Sequence, residues 1–255
     1  MEKEFGKLTL DQLRQLIAFL PELDLLHAEM PQIFAEKQEK LNSILTPGFS
    51  WSHFYELPIE EHMGALAIIA GIAMNLKAAV ASDDPQQFLI NDLKDGLQDW
   101  QGGDNGKFEL KHLLSAVYST KNTLDCLMVY GFYINEFISQ LREGDDSALF
   151  KAIRMDPTVA SCPTAADRIS RAVMEQDEAF LHNLHKAFSG KTGDQAAYLK
   201  HFRFAMQALR EGGALEKSNN ELIRLVFDLG LYDDAAGSEK NVRELIRKSK
   251  KKQSI

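Results

Sequence analysis

Apolar residues recur at spacings of three and four along nearly the whole chain, the periodicity of helices with one buried face. Leu10, Leu13, Leu16, Ile17 and Leu20 form the first such stripe. Thr9 stands before it as a hydroxyl N-cap, and Pro21 stops it because proline lacks the amide donor for a further turn. A second helix is expected over 29–45, followed by an aromatic-rich loop over 46–58 that packs down against the fold. The most apolar stretch predicts one helix over 58–81, whose small residues, Gly64 and Gly71 among them, allow neighbours to approach closely. Asp83 or Asp84 caps the next helix, striped by Phe88, Leu89, Leu93, Leu97 and Trp100, and residues 101–107 then turn.

Residues 108–142 read as one very long helix or two collinear ones. The expected interruption is the polar run 119–123, since Ser, Thr and Asn side chains compete for helical hydrogen bonds. Glu143 and Gly144 close this part. Shorter helices follow over 146–154, 164–175, 177–188, 193–211, 219–229 and 239–251, with Cys162, Pro163 and Thr164 marking a helix start. No stretch alternates polar and apolar residues over a useful length. The pattern therefore predicts an all-α fold: a helical bundle with long central helices over 1–142, then shorter packed helical hairpins over 143–255, the two parts forming one globular unit. Asp146 and Asp177 each open a similar motif, an aspartate, one residue, an alanine and two large apolar residues, and 193–202 partly echoes it. The offsets are unequal, so the common element reads as acidic-capped amphipathic helices rather than a solenoid repeat.

Composition narrows the class further. The 255 residues are 45% hydrophobic and 26% charged, enough for a sizeable core and too apolar for extensive disorder. Two cysteines make no disulfide scaffold, and the acidic start MEKEF lacks an apolar leader segment, so a cytoplasmic location is expected. The longest apolar run, from Met63 to Met74, falls short of the roughly 20 residues needed to cross a bilayer, so no membrane partner is expected.

Several side-chain patterns touch on chemistry. His182 and His185 lie three apart on one helix with Glu178 a turn earlier, so the three share neighbouring parts of one face. They are the catalytic candidates, and with His201 from the next helix they make a candidate metal set. Glu109 and His112 have the spacing of a helical di-iron ligand pair, but a second copy is missing. His62, beside Glu60 and Glu61, suits a buried polar pair. Ser189 to Thr192 resembles the end of a phosphate loop without its leading glycine or strand, and Gly190 reads as a helix C-cap instead. Cys162 at a helix start has no histidine near it in sequence and reads as structural. No cofactor is expected from any motif.

Charge is distributed unevenly. The net charge is −8, yet residues 240–255 carry seven Lys or Arg against one Glu. Val242, Leu245 and Ile246 give this last helix a packing stripe, leaving 248–255 as an extension. Arg243, Arg247, Lys250 and Lys251 share another face and are the candidates for nucleic-acid contact. Their position at a helix C-terminus is also favourable for the helix dipole alone. The leading expectation is a non-catalytic helical protein-interaction or scaffold protein that binds a partner or itself. The alternatives are a metal-dependent hydrolase or nuclease and a nucleic-acid accessory protein.

Overall fold

The computed structural model describes residues 4–21, 25, 51–84, 87–88, 91, 110–190, 193, 197–231 and 239–251. The fold is all-α, as the periodicity predicts; the strands among the described residues are two-residue β1 (Glu4–Phe5) and β2 (Leu8–Thr9). The chain separates into two compact units, each discontinuous in sequence. The first comprises Met1–Gln38, Leu127–Phe132 and Gly193–Ile255, and the second Glu39–Cys126 and Tyr133–Thr192. The expected boundary at 142/143 falls inside the second unit, between two helices that pack on each other.

In the first unit, β1 and β2 pair antiparallel and lead into helix α1, helical over 10–21. Thr9 caps α1 as expected: its hydroxyl accepts from the Gln12 N–H at 3.2 Å, while the Gln12 side chain accepts from the Thr9 N–H at 2.9 Å. Helices α9 (Ala197–Glu211), α10 (Asn219–Asp228) and α11 (Glu239–Lys251) complete the described part of this unit. Its core joins Phe5 and Leu13 to Phe202, Met206 and Leu209 of α9, Leu222 and Val226 of α10, and Val242 and Ile246 of α11.

The hairpin turn is fixed by a close backbone approach. Gly6 has φ +66, and a Cβ there would lie 2.0 Å from the Gly212 oxygen. The neighbouring Lys7 N–H donates to that same oxygen at 2.8 Å. Any side chain at position 6 therefore meets both a left-handed backbone and an occupied space.

The second unit opens with a 3-10 helix (Trp51–Glu56), the described part of the aromatic loop, in which Tyr55 is fully buried. Residues 58–81 do not form the single helix expected. They form α2 (Ile59–Ile69) and α3 (Ala73–Val80), bent by 114°. The cause is Gly71, with φ +77. The Gly71 N–H donates to Ile68 and the Ile72 N–H to Ala67, the Schellman pair that closes a helix end. Gly71 thus acts as a terminator rather than as a small packing residue.

Helix α4 (Leu110–Tyr130) likewise corrects an expectation, running unbroken through 119–123. Ser119, Asn122 and Thr123 face inward, where other side chains occupy their polar atoms, so they leave the helical ladder intact. The break comes at Gly131, φ +72, before α5 (Ile134–Arg142). Gly144 closes α5 with another Schellman pair, Gly144 to Leu141 and Asp145 to Gln140.

Then follow α6 (Asp146–Met155), a second 3-10 helix (Pro157–Ser161), α7 (Pro163–Glu175) and α8 (Glu178–Ser189). Helix α6 packs on both α5 and α8. The two echoed motifs open α6 and α8. Asp145 caps α6, one residue before the motif aspartate, whereas Asp177 is itself the cap of α8. Arg168 of α7 ties both starts together, donating to Asp146 at 2.8 and 2.7 Å and to Asp177 at 3.1 Å. Its guanidinium lies 3.9 Å from the centre of the Phe180 ring.

The helix expected over 29–45, the stripe from Leu89 to Trp100 and the turn over 101–107 lie outside the described residues. No single helix among the described residues is long and apolar enough to cross a membrane.

Two glycines test this account with opposite signs. Gly6→Ala should destabilise the chain by more than about 2 kcal/mol, since it adds backbone strain to a clash. Gly64→Ala, on an exposed helical site where an added Cβ meets nothing within 4 Å, should stabilise by roughly 0.5–1 kcal/mol. Urea unfolding of both variants measures the difference.

Candidate functional site

The second unit buries an unusual number of polar side chains. They fall into three linked groups, set by the first 3-10 helix, α2, α4 and α5, and the segment around Asp156.

Asp156 is the hub of the first group and is 3% exposed. It ends α6 in an extended conformation and caps the 3-10 helix that follows. One carboxylate oxygen accepts from Tyr55 Oη at 2.5 Å, Trp51 Nε1 at 2.8 Å and Asn122 Nδ2 at 2.9 Å. The other accepts from the Thr158 backbone N–H at 2.9 Å and its hydroxyl at 2.7 Å. Five donors saturate this carboxylate. Burial, followed by the nearby Asp156 charge, pushes the Tyr55 phenol well above its ordinary range, so it remains a donor. Trp51 also stacks on Tyr118, with ring centres 5.0 Å apart.

His62, fully buried, anchors the second group. It does form a buried polar pair, but with partners far away in sequence rather than with Glu60 or Glu61. Its Nε2 lies 2.7 Å from Ser119 Oγ, whose own hydroxyl donates to the Ala116 carbonyl at 3.0 Å. The hydroxyl oxygen must then accept from Nε2–H, which assigns the neutral tautomer with Nδ1 as acceptor. Asn135 Nδ2 lies 3.2 Å from Nδ1 and 3.1 and 2.9 Å from the Phe54 and Leu57 carbonyls, so its two hydrogens are shared among three acceptors. Burial pushes the imidazole down to about 4.

Glu56 holds the third group. It accepts from the Cys162 thiol at 2.6 Å, the Thr164 backbone N–H at 2.8 Å and the Thr164 hydroxyl at 2.8 Å, and it pairs with Arg142. Its carboxylate therefore supplies the negative charge at the start of α7, which lacks a side-chain cap of its own. Burial alone would raise the Glu56 carboxyl, but the donors from Cys162, Thr164 and Arg142 outweigh it and hold it at about 2. Conversely, burial and then Glu56 push the Cys162 thiol up to about 12. That thiol is a hydrogen-bond donor at a helix start, consistent with its structural reading.

Next to the Glu56 group, and sharing Arg142 and Thr164 with it, the surface between α5 and α7 forms a groove of about 490 Å³ lined also by Leu141, Pro163, Asp167, Arg168 and Arg171. Each of its three guanidiniums is held by a carboxylate: Arg142 by Glu56, Arg168 by Asp146 and Asp177, and Arg171 by Asp167.

Glu178, His182 and His185 all lie on α8 with exposed side chains. His201, half-buried on α9, belongs to the first unit. Among the described residues, no group of three or more His, Cys, Asp or Glu is placed to hold a metal ion. Glu109 lies outside the described residues, and His112 is half-buried on α4.

On α11, Arg243 binds Asn220 at 3.2 Å and Glu239 at 2.9 Å, and Arg247 binds Glu244 at 2.9 Å. The helix continues through Lys251, as the 239–251 expectation has it, so residues 248–251 belong to it and not to an extension. Lys250 donates to the Lys217 carbonyl at 2.6 Å, and Lys251 is exposed.

Sequence reasoning missed Asp156, Asn135 and Glu56. The available signal was the polar run 119–123 within an otherwise apolar helix face, which called for buried partners. Comparison with protein-family models, curated proteins and solved structures finds no match to this chain.

The two perturbed acids and bases predict two separate pH windows. The His62 imidazole is depressed in the folded state, so the unfolded chain binds its proton first and stability falls as pH drops from about 6.5 to 4. The Glu56 carboxyl is also depressed, so its contribution is complete above about 4.5 and is lost as pH falls towards 2. Urea midpoints measured across pH should show both slopes. His62→Asn should flatten the first and Glu56→Gln the second; slopes that survive these substitutions would contradict the assignments.

Proposed function

We propose that this chain is a non-catalytic helical protein-interaction module and that the α5–α7 groove is its docking surface. One observation carries the reading: the groove presents three guanidiniums, each paired with a carboxylate, beside the exposed Pro163 on two packed helices. Pro163, Asp167, Arg171 and Met174 follow one another along one face of α7, and Met174 is 75% exposed. Arginine and methionine are enriched at interfaces, and the exposed Pro163 adds apolar area between the charges. Two carboxylates already hold the Arg168 guanidinium, so docking on it costs little side-chain entropy.

The buried polar groups support the same reading. Asp156 and both nitrogens of His62 already have partners within the fold, which is the arrangement of structural hydrogen bonds rather than of groups awaiting a substrate. Self-association through the groove is one form of this function, since a second copy could bring its own acidic surface.

Photocrosslinking in the cells that make the protein tests the reading. A photoreactive phenylalanine analogue in place of Met174 should give a discrete adduct, either with another protein or with a second copy. The same probe in place of Val80, which is 80% exposed on α3, should not. No adduct from position 174, or the same bands from both positions, would overturn the proposal.

A further inference from the structure

The end of α11 concentrates positive charge in a way that the groove does not, and the argument for it is independent of the proposed docking function. Arg247, Lys248, Lys250 and Lys251 fall within five residues. Folding adds a fifth cation, because the Lys250 ammonium sits on the Lys217 carbonyl and so brings the Lys217 residue alongside. The acids nearby are few. Glu244 binds Arg247 at 2.9 Å and lies 3.9 Å from Lys248, and Glu221 is engaged by Ser218 in the α10 cap. Glu216 adjoins Lys217 in sequence, and Glu211 follows Arg210, which donates to the Ser249 carbonyl at 3.3 Å.

The charge of the two units differs in the same sense. The first unit has 16 Lys and Arg against 16 Asp and Glu, while the second has 13 against 21. The basic patch therefore belongs to a unit with no net charge, and the acidic excess lies in the other. Long-range repulsion of a polyanion by its own unit is absent.

We propose that the C-terminal turn of α11, with Lys217, is a contact surface for the phosphate backbone of a nucleic-acid duplex, read without regard to base sequence. Charge complementarity selects a phosphate chain, since four cations lie within the last five described residues of one helix. A duplex presents one phosphate per about 1.7 Å of its axis. A bilayer fits less well. The apolar residues of α11 are committed to the core, Val242 at 2% and Ile246 at 0% exposure, and leave no anchor to enter lipid. The contact is sequence-independent because it presents the helix C-terminus, whereas base-reading helices direct their N-terminal residues at base edges.

Fluorescence anisotropy of the full chain with a short labelled duplex of arbitrary sequence tests this. With Glu244 holding Arg247, the four remaining cations neutralise about four phosphates, so affinity should fall about 150-fold between about 50 and 200 mM salt. The variant K248E/K251E alters two exposed side chains and should keep its unfolding midpoint. It should bind at least about tenfold more weakly at the lower salt, with a shallower salt slope. Lys77→Glu, an exposed site on α3 in the other unit, should bind as the parent does. Absence of duplex binding, salt-insensitive binding, or unchanged binding by K248E/K251E would overturn the proposal. So would equal affinity for phosphatidylserine vesicles or for a polyglutamate peptide.

Discussion

The Asp156 carboxylate is the constraint on which the second unit depends. It ends one helix, starts the next turn, and receives donors from the 3-10 helix at 51–56 and from α4. A buried carboxylate without partners would be strongly disfavoured, and so would a buried tyrosine hydroxyl or asparagine amide left alone. Each therefore requires the others. Once Trp51 and Tyr55 are held, Glu56 is delivered to the start of α7 and Phe54 to the face of His62, where the ring centres stand 5.4 Å apart. The polar network thus positions helices that their apolar stripes alone would leave free to slide.

Helix content was legible because a stripe such as Val242, Leu245 and Ile246 reports burial directly through its spacing. The Thr9 and Asp177 caps were legible for a similar reason: their hydrogen bonds span only three residues. What the sequence hid was anything set by distant partners. The run 119–123 looks like a helix breaker until His62, Asn135 and Asp156 appear opposite it. Gly71 and Gly131 look like small packing residues or neutral positions until their positive φ values place them at helix ends. The division into two units is hidden likewise, since residues 127–132 cluster with segments far away in the chain.

The same distinction separates the candidate sites. Glu178, His182 and His185 were chosen because spacing alone puts them on one face, and α8 does place them on its exposed side. The α5–α7 groove could not be chosen that way, because Arg142 and Arg171 lie on different helices. Of the nucleic-acid candidates, Arg243 is directed to Asn220 and Glu239, near the start of its helix. The cations at the other end lie beside Lys217, so the structure divides what the sequence presented as one basic face. The proposed docking surface on the acidic unit and the proposed phosphate contact on the uncharged one are physically compatible, since they use different residues on differently charged units.

The most direct test of the central claim is the unfolding free energy of Asp156→Ala. The substitution strands the buried donors of Tyr55, Asn122 and Trp51 together, so the account predicts a loss of about 3–5 kcal/mol. Amide hydrogen exchange should quicken in α4 and in the 3-10 helix at 51–56. Stability within about 0.5 kcal/mol of the parent, with exchange unchanged there, would contradict the claim that this carboxylate holds the unit together.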